Sequence, residues 1–179
     1  MSKYIILFVI LQLLICGWGS EKALSKHKNV YSIYLVKNSK LTYATKKPEL
    51  KDFILQDIPL LTVDSITSYT WHSHLISFSI SVKKGLRNQE PLIDRLFVVV
   101  ANDERIYWGM FTDFVDSYIS NSPAIFLLPR DHPWSSTSAS RIPDGFSISR
   151  CPIVGKDSID VRNDIRIYTA LNTSGKLLP

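Results

Sequence analysis

Two histidines one residue apart, His72 and His74, form the first pattern in this sequence that could do chemistry. In an extended strand both imidazole rings would point the same way, and such a pair can ligate zinc or copper. No Cys, Asp or Glu follows His74 within ten residues, although Asp64 precedes the pair. The same strand face continues with Ile76 and Phe78, so we expect structural histidines, with His74 at the edge of a core face. We predict no metal site and no other cofactor.

The segment 129–145 brings an acid, an imidazole and hydroxyl groups together as Asp131, His132 and Ser135, with Trp134 between them. These are the groups of a hydrolase triad, but a triad is assembled in space, so nearness in sequence says little. The sequence has no Gly-x-Ser-x-Gly nucleophile elbow. We expect a solvated polar loop with no catalytic residue. A small periplasmic hydrolase that uses this loop is the alternative.

The chain has two cysteines, Cys16 and Cys151. Cys16 ends a stretch similar to the lipidation motif of bacterial lipoproteins: Leu13 fits that motif, whereas Ile15 stands where a small residue is usual. If Cys16 is lipidated or removed, Cys151 has no partner and no intrachain disulfide can form. We expect Cys151 to be a packed, unreactive thiol.

Residues 1–20 have the layout of an export signal. Lys3 precedes the nearly unbroken apolar run 4–15, and small residues follow before the first acidic residue, Glu21. The uncharged span of 17 residues is short for crossing the roughly 30 Å of hydrocarbon in a bilayer. Three outcomes stay open: lipid attachment at Cys16, cleavage after Gly17 or Gly19, and retention of the span in the membrane.

The amino-acid composition and the net charge restrict the classes of function that this chain can have. The chain has 179 residues, of which 45% are hydrophobic and 21% charged, as in ordinary globular proteins. The net charge of +5 is spread along the sequence without a run of five like charges. Nucleic-acid binding usually shows a clustered basic stripe, so we expect no nucleic-acid partner. A mildly positive surface does favour anionic lipid heads.

Hydrophobic patterning indicates the elements that position these residues. The run 96–100 is apolar without alternation, which is typical of a strand covered on both faces. A C-terminal helix is capped by Asn163 or Asp164 and stopped by Gly175, and Ile165, Tyr168 and Leu171 or Asn172 share one of its faces. We expect the tryptophans and tyrosines to pack in the core; an aromatic recognition surface is the alternative. Alternation and strand-forming residues predict further strands at 31–35, 66–71, 76–82, 105–111, 124–128 and 146–148, and a short helix within 83–95.

This order of elements predicts an α+β fold: a mainly antiparallel sheet with β-hairpins and a C-terminal helix. We place a single globular domain over residues 30–179. Residues 21–29 are polar and form a tether between the export signal and that domain.

Five segments of the chain stand out together: YSIYLV from Tyr31, DSITSYTW from Asp64 with His74, FVVV from Phe97, IYWGMF from Ile106 and RNDIRIYTAL from Arg162. In these segments the chain resembles a group of small exported or lipid-anchored bacterial proteins to which no activity is assigned. The resemblance implies lipidation at Cys16 and carries over no functional residue.

These observations predict an exported cell-envelope protein that is membrane-anchored or released into the periplasm or extracellular space. We expect a non-enzymatic binding module. Its partners would be the membrane, through the N-terminal signal or a lipid on Cys16, and an envelope protein.

Overall fold

The computed structural model describes residues 30–37, 49–87, 92–113, 122–127, 145–150 and 159–179. Several predicted features lie outside this part of the chain. They are the export signal with Cys16, the tether 21–29, Cys151, and the loop residues Asp131, His132 and Trp134.

The described residues form nine strands and two α-helices. The strands are β1 (Tyr31–Leu35), β2 (Leu61–Thr62), β3 (Ile66–Thr70), β4 (Leu75–Phe78), β5 (Leu96–Ala101), β6 (Glu104–Asp113), β7 (Ala124–Leu127), β8 (Gly145–Ser149) and β9 (Leu177–Leu178). The helices are α1 (Ile80–Arg87) and α2 (Ile165–Thr173), and short 3₁₀ helices cover Leu50–Asp52 and Val161–Asn163.

All nine strands join one mixed sheet in the order β2-β1-β5-β6-β7-β8-β4-β3-β9. The β6–β7 and β3–β9 pairs are parallel, and the other six pairs are antiparallel. The predicted α+β class, with a mainly antiparallel sheet and a C-terminal helix, is confirmed at this level. Among the described residues, none of the helices combines the length and the apolar character needed to cross a membrane.

Strand β5 lies between two hydrophobic cores, as the unbroken apolar run predicted. Phe97 and Val99 face the main core, which also receives the buried side of α2. Val98 and Val100 face a smaller core on the other side of the sheet, closed by Phe53. Successive side chains of a strand point to opposite faces, so a strand covered on both sides must be apolar throughout.

The segment after the 3₁₀ helix Leu50–Asp52 covers this smaller core. The Phe53 ring packs against Trp108 of β6 with centroids 5.7 Å apart. The guanidinium of Arg105 donates to the Leu50 carbonyl at 2.6 Å and to the Phe53 carbonyl at 3.0 Å. These two hydrogen bonds hold the segment against β6.

The predicted strand over 76–82 is only half right. Strand β4 ends at Phe78, and α1 begins at Ile80, which is exposed. The Ser79 hydroxyl accepts from the Val82 amide at 3.4 Å, the contact made by a helix N-cap. Serines at every second position mimic a strand, but one serine placed at a cap is enough to start a helix.

Helix α2 begins and ends as predicted but buries a different face. The Asp164 carboxylate accepts from the Arg166 amide at 2.9 Å, which caps the helix, and Gly175 follows it with φ +65°. Of the predicted face, Ile165 and Tyr168 are exposed, and only Leu171 is buried. The buried residues are Ile167, Ala170 and Leu171. Their i, i+3, i+4 spacing satisfies the helical period equally well, and packing against β1 and β5 selects this face.

Candidate functional site

Residues 71–74 form the turn between β3 and β4, which confirms the turn predicted at His72–Ser73. His74 has φ +50° and is buried, whereas His72 is exposed. The Nδ1 atom of His74 lies 2.9 Å from the Tyr69 hydroxyl, and that of His72 lies 3.2 Å from the Pro179 carbonyl. Within the described ranges, no group of three or more His, Cys, Asp or Glu residues is placed to hold a metal ion.

His74 belongs to a buried set of polar side chains that we call the polar core cluster. It joins strands β1, β3 and β6, the turn 71–74 and the 3₁₀ helix before α2. Its members are Tyr31, Tyr69, His74, Tyr107, Asp160 and Arg162.

An ion pair closes one side of the polar core cluster. Two nitrogens of Arg162 donate to the two carboxylate oxygens of Asp160, at 2.9 Å from Nε and 2.5 Å from Nη2. The remaining terminal nitrogen, Nη1, donates to the Ile148 carbonyl at 2.6 Å. The two charged side chains are only 12% and 17% exposed. This two-point geometry orients the pair as well as neutralising it.

Burial controls the protonation of the cluster. Desolvation lowers the pKa of His74 to about 4, and the positive charge of Arg162 adds to this while Asp160 opposes it. Burial also raises the pKa of Tyr69 far above its ordinary value. Hydrogen bonds from Arg162 lower the pKa of Asp160. At neutral pH the cluster therefore holds a neutral imidazole, neutral phenols and one internal ion pair.

Two tyrosine hydroxyl groups in the polar core cluster make no hydrogen bond to a described group. Tyr31 Oη and Tyr107 Oη are buried, and neither has a hydrogen-bonding partner among the groups that the structure describes. Burial raises the pKa of both phenols well above the ordinary value. The polar core cluster therefore contains residue types that can act as acids and bases. Its hydrogen bonds, however, connect these groups to other side chains and to the backbone, as in a cluster that stabilises the fold. Its imidazole and guanidinium are engaged by neighbouring protein groups.

Sequence patterns identified the aromatic members of this cluster as core residues but missed its ion pair. Tyr69 and Tyr107 were predicted to pack in the core, which is confirmed, and the burial of His74 at the edge of the core is confirmed as well. Apart from their separation of two residues, nothing in the sequence indicated that Asp160 and Arg162 form an ion pair next to His74. Only the strand order brings them to His74 from more than 80 residues away.

An open concavity of about 660 Å³ with a charged lining lies beside the β5–β6 turn. Arg166 on its wall pairs with Glu104 at 2.6 Å and with Asp164 at 2.7 Å. Lys51 pairs with Glu49 at 2.7 Å. Asp103 and Arg105 complete the charged lining, which therefore carries both signs.

Five exposed large apolar side chains belong to the C-terminal segment 159–178 of the chain, and we call this set the C-terminal apolar face. Tyr168 on this face packs edge-on against the half-buried Trp71, with ring centroids 5.1 Å apart. Exposed groups of large apolar residues mark contact surfaces more often than isolated ones do. The members of the face are Ile159, Val161, Ile165, Tyr168 and Leu178.

Comparison with known proteins finds no matching family model, no matching curated protein and no matching solved structure.

Proposed function

We propose that this chain is an exported protein of the cell envelope that acts as a non-enzymatic binding module. The C-terminal apolar face is the observation that carries the proposal. It places five large apolar side chains at the surface, while the acid–base groups of the polar core cluster are buried and bonded to one another. Binding needs an accessible surface, and catalysis needs an accessible reactive group.

The N-terminal sequence supports export and attachment to the membrane. Residues 1–20 have the charge and hydropathy of an export signal, and Cys16 follows Leu13 at the spacing of a lipidation motif. Residues 30–179 then form the single binding domain, with the hairpins β3–β4 and β5–β6 in one sheet. Its partners are the membrane and an envelope protein.

Intact mass and fractionation of the chain expressed in a bacterial host test this proposal. We expect the mature protein to begin at Cys16 with the added mass of a lipid, and to sediment with membranes. Cys16→Ser should release it to the soluble exported fraction or stall its processing, while Cys151→Ser should leave both readouts unchanged. An unmodified N-terminus at Trp18 or Ser20 would rule out lipid attachment, and retention in the cytoplasm would rule out export.

The hydrolase alternative depends on Asp131 and His132, which lie outside the described residues. Purified chain tested against ester and peptide substrates should show no hydrolysis above a buffer blank. Turnover that disappears in His132→Ala but survives in His72→Ala would replace the binding proposal with an enzymatic one.

A further inference from the structure

The chain joins the described fold at Val30, and the contacts of this residue place it at one end of the sheet. The Val30 carbonyl accepts from the Asn102 amide, in the β5–β6 turn, at 3.1 Å. Glu104, which follows that turn, forms an ion pair with Arg166 in the first turn of α2 at 2.6 Å. The start of β1 and the start of α2 therefore lie at the same end of the molecule.

Part of the C-terminal apolar face lies at this end too, because Ile165 directly precedes Arg166, which reaches Glu104. Consecutive ring contacts also connect Tyr31, the first residue of β1, to Tyr69 at 6.1 Å, on to Trp71 at 6.1 Å, and then to Tyr168 at 5.1 Å. The face holds five of the nine large apolar side chains that are exposed in the described residues. Exposed apolar side chains of α2 therefore lie near the point where the tether meets the fold.

The tether is short. When Cys16 carries the lipid, the thirteen residues 17–29 connect it to the fold and span at most about 45 Å when fully extended. Val30 then cannot lie farther than this from the membrane. The tether also carries three lysines against one acidic residue, which favours its approach to anionic lipid.

We propose that the C-terminal apolar face docks onto the phospholipid bilayer to which the N-terminal segment is attached. This inference rests on the membrane attachment in the proposed function and assigns the surface that completes it. Tyrosine and tryptophan favour the membrane–water interface, where an apolar ring and a polar atom both find suitable surroundings. Attachment through the tether would make even weak docking effective, because it keeps the face at high local concentration near the lipid.

Charge at this end is mixed. Arg162 neutralises Asp160, whereas Arg166 is shared between Glu104 and Asp164, so this second group keeps one net negative charge. The chain as a whole carries a net charge of +5. Approach to a bilayer that contains anionic lipid is therefore favoured over long range, and the apolar side chains must supply the attraction at short range.

Photo-crosslinking of the full chain in vesicles of phosphatidylcholine and phosphatidylglycerol tests the proposal. A photoreactive amino acid is placed at position 165 or, in the control, at position 54. Both positions hold an exposed isoleucine, with exposed fractions of 70% and 59%. Ile54 lies beyond the end of β1 that is opposite to Val30, because its carbonyl accepts from the Lys37 amide at 2.7 Å.

We expect lipid adducts at position 165 and none above background at position 54. Flotation with the vesicles, measured on the same samples, reports attachment separately. Equal adducts at both positions, or none at position 165 in chains that do float, would overturn docking by this face and leave the attachment intact. Failure to float would overturn the membrane attachment in the proposed function itself. A protein adduct at position 165 in whole membranes, without lipid adducts, would assign the face to a protein partner instead.

Discussion

At the residue scale, the buried tyrosines of the polar core cluster differ in whether the hydroxyl has a partner. The Tyr69 hydroxyl lies 2.9 Å from His74 Nδ1, whereas the described surroundings offer no partner to the hydroxyl of Tyr31. Losing one member of a buried hydrogen bond is costly, because the other member stays desolvated and unpaired. Removing a hydroxyl that has no partner carries no such penalty.

Tyr69→Phe should therefore lower the free energy of unfolding by about 1–3 kcal/mol. Tyr31→Phe, its matched control in the same cluster, should leave that free energy unchanged or raise it. Urea denaturation of the two variants measures the difference. Equal losses in the two variants would contradict the assignment of the effect to the hydrogen bond with His74, because both variants keep the ring.

The pKa of His74 predicts how stability depends on pH. Burial holds it at about 4 in the folded chain, against about 6.5 when unfolded. The unfolded chain therefore takes up a proton at higher pH than the folded chain does. The contribution of neutral His74 to the free energy of unfolding is complete above pH 6.5. It falls as the pH drops from about 6.5 to about 4 and stays constant below that, for a total loss of about 3 kcal/mol.

Urea titrations at several pH values check this prediction, with His74→Gln and His72→Gln compared to the unaltered chain. The slope between pH 6.5 and pH 4 should vanish in His74→Gln and persist in His72→Gln, because His72 is exposed. Asp160, with its lowered pKa, loses its stabilising effect only at lower pH, below its ordinary value of 3.8. An unchanged slope in His74→Gln would assign the acid sensitivity to other groups.

At the element scale, both helices begin where a polar side chain caps the first turn. Ser79 does so for α1 and Asp164 for α2. Asp164 also bonds the Arg166 guanidinium, which in turn reaches Glu104 next to the β5–β6 turn. The start of α2 is therefore tied to the sheet as well as capped, which limits how the helix can rotate about its axis.

Asp164→Ala should lower the free energy of unfolding by about 1 kcal/mol, the usual effect of removing an N-cap. Asn163→Ala is the matched control, because the sequence allowed either residue to be the cap. Asn163 is exposed and belongs to the preceding 3₁₀ helix, so its replacement should change stability by less than about 0.5 kcal/mol. Thermal denaturation of both variants distinguishes them, and a larger loss in Asn163→Ala would contradict this capping geometry.

At the scale of the whole molecule, stability should be graded across the sheet. Strand β5 lies between β1 and β6 and is covered on both faces, whereas β2 and β9 are edge strands of two residues each. Opening the centre of the sheet requires both cores to separate, whereas an edge strand can open by itself.

Amide hydrogen exchange should therefore be slowest at Val98 and Val99 and faster by orders of magnitude at Leu177 and Leu178. Mass-spectrometric exchange on the intact chain measures this gradient. Protection of β9 equal to that of β5 would show that the C-terminal strand opens only with global unfolding. The fold would then behave as one cooperative unit to its edge.

What the sequence by itself determined is local. The apolar run of β5, the turn at His72–Ser73 and the ends of α2 follow from side-chain periodicity, turn chemistry and capping, which act over a few residues. The α+β class follows from the order of these elements. Export, lipidation at Cys16 and the role of the loop at His132 are also read from local patterns, and they stay predictions.

Only the tertiary structure decided which groups meet. Two faces of α2 satisfied the helical period, and packing on the sheet buried Ile167 rather than Ile165. The serines around Ile80 suited a strand as well as a helix start. Asp160 and Arg162 reach His74 because β8 pairs with β4 and carries the Ile148 carbonyl to Arg162. Contacts of this kind depend on strand order and on the closure of long loops, which leave no period in the sequence.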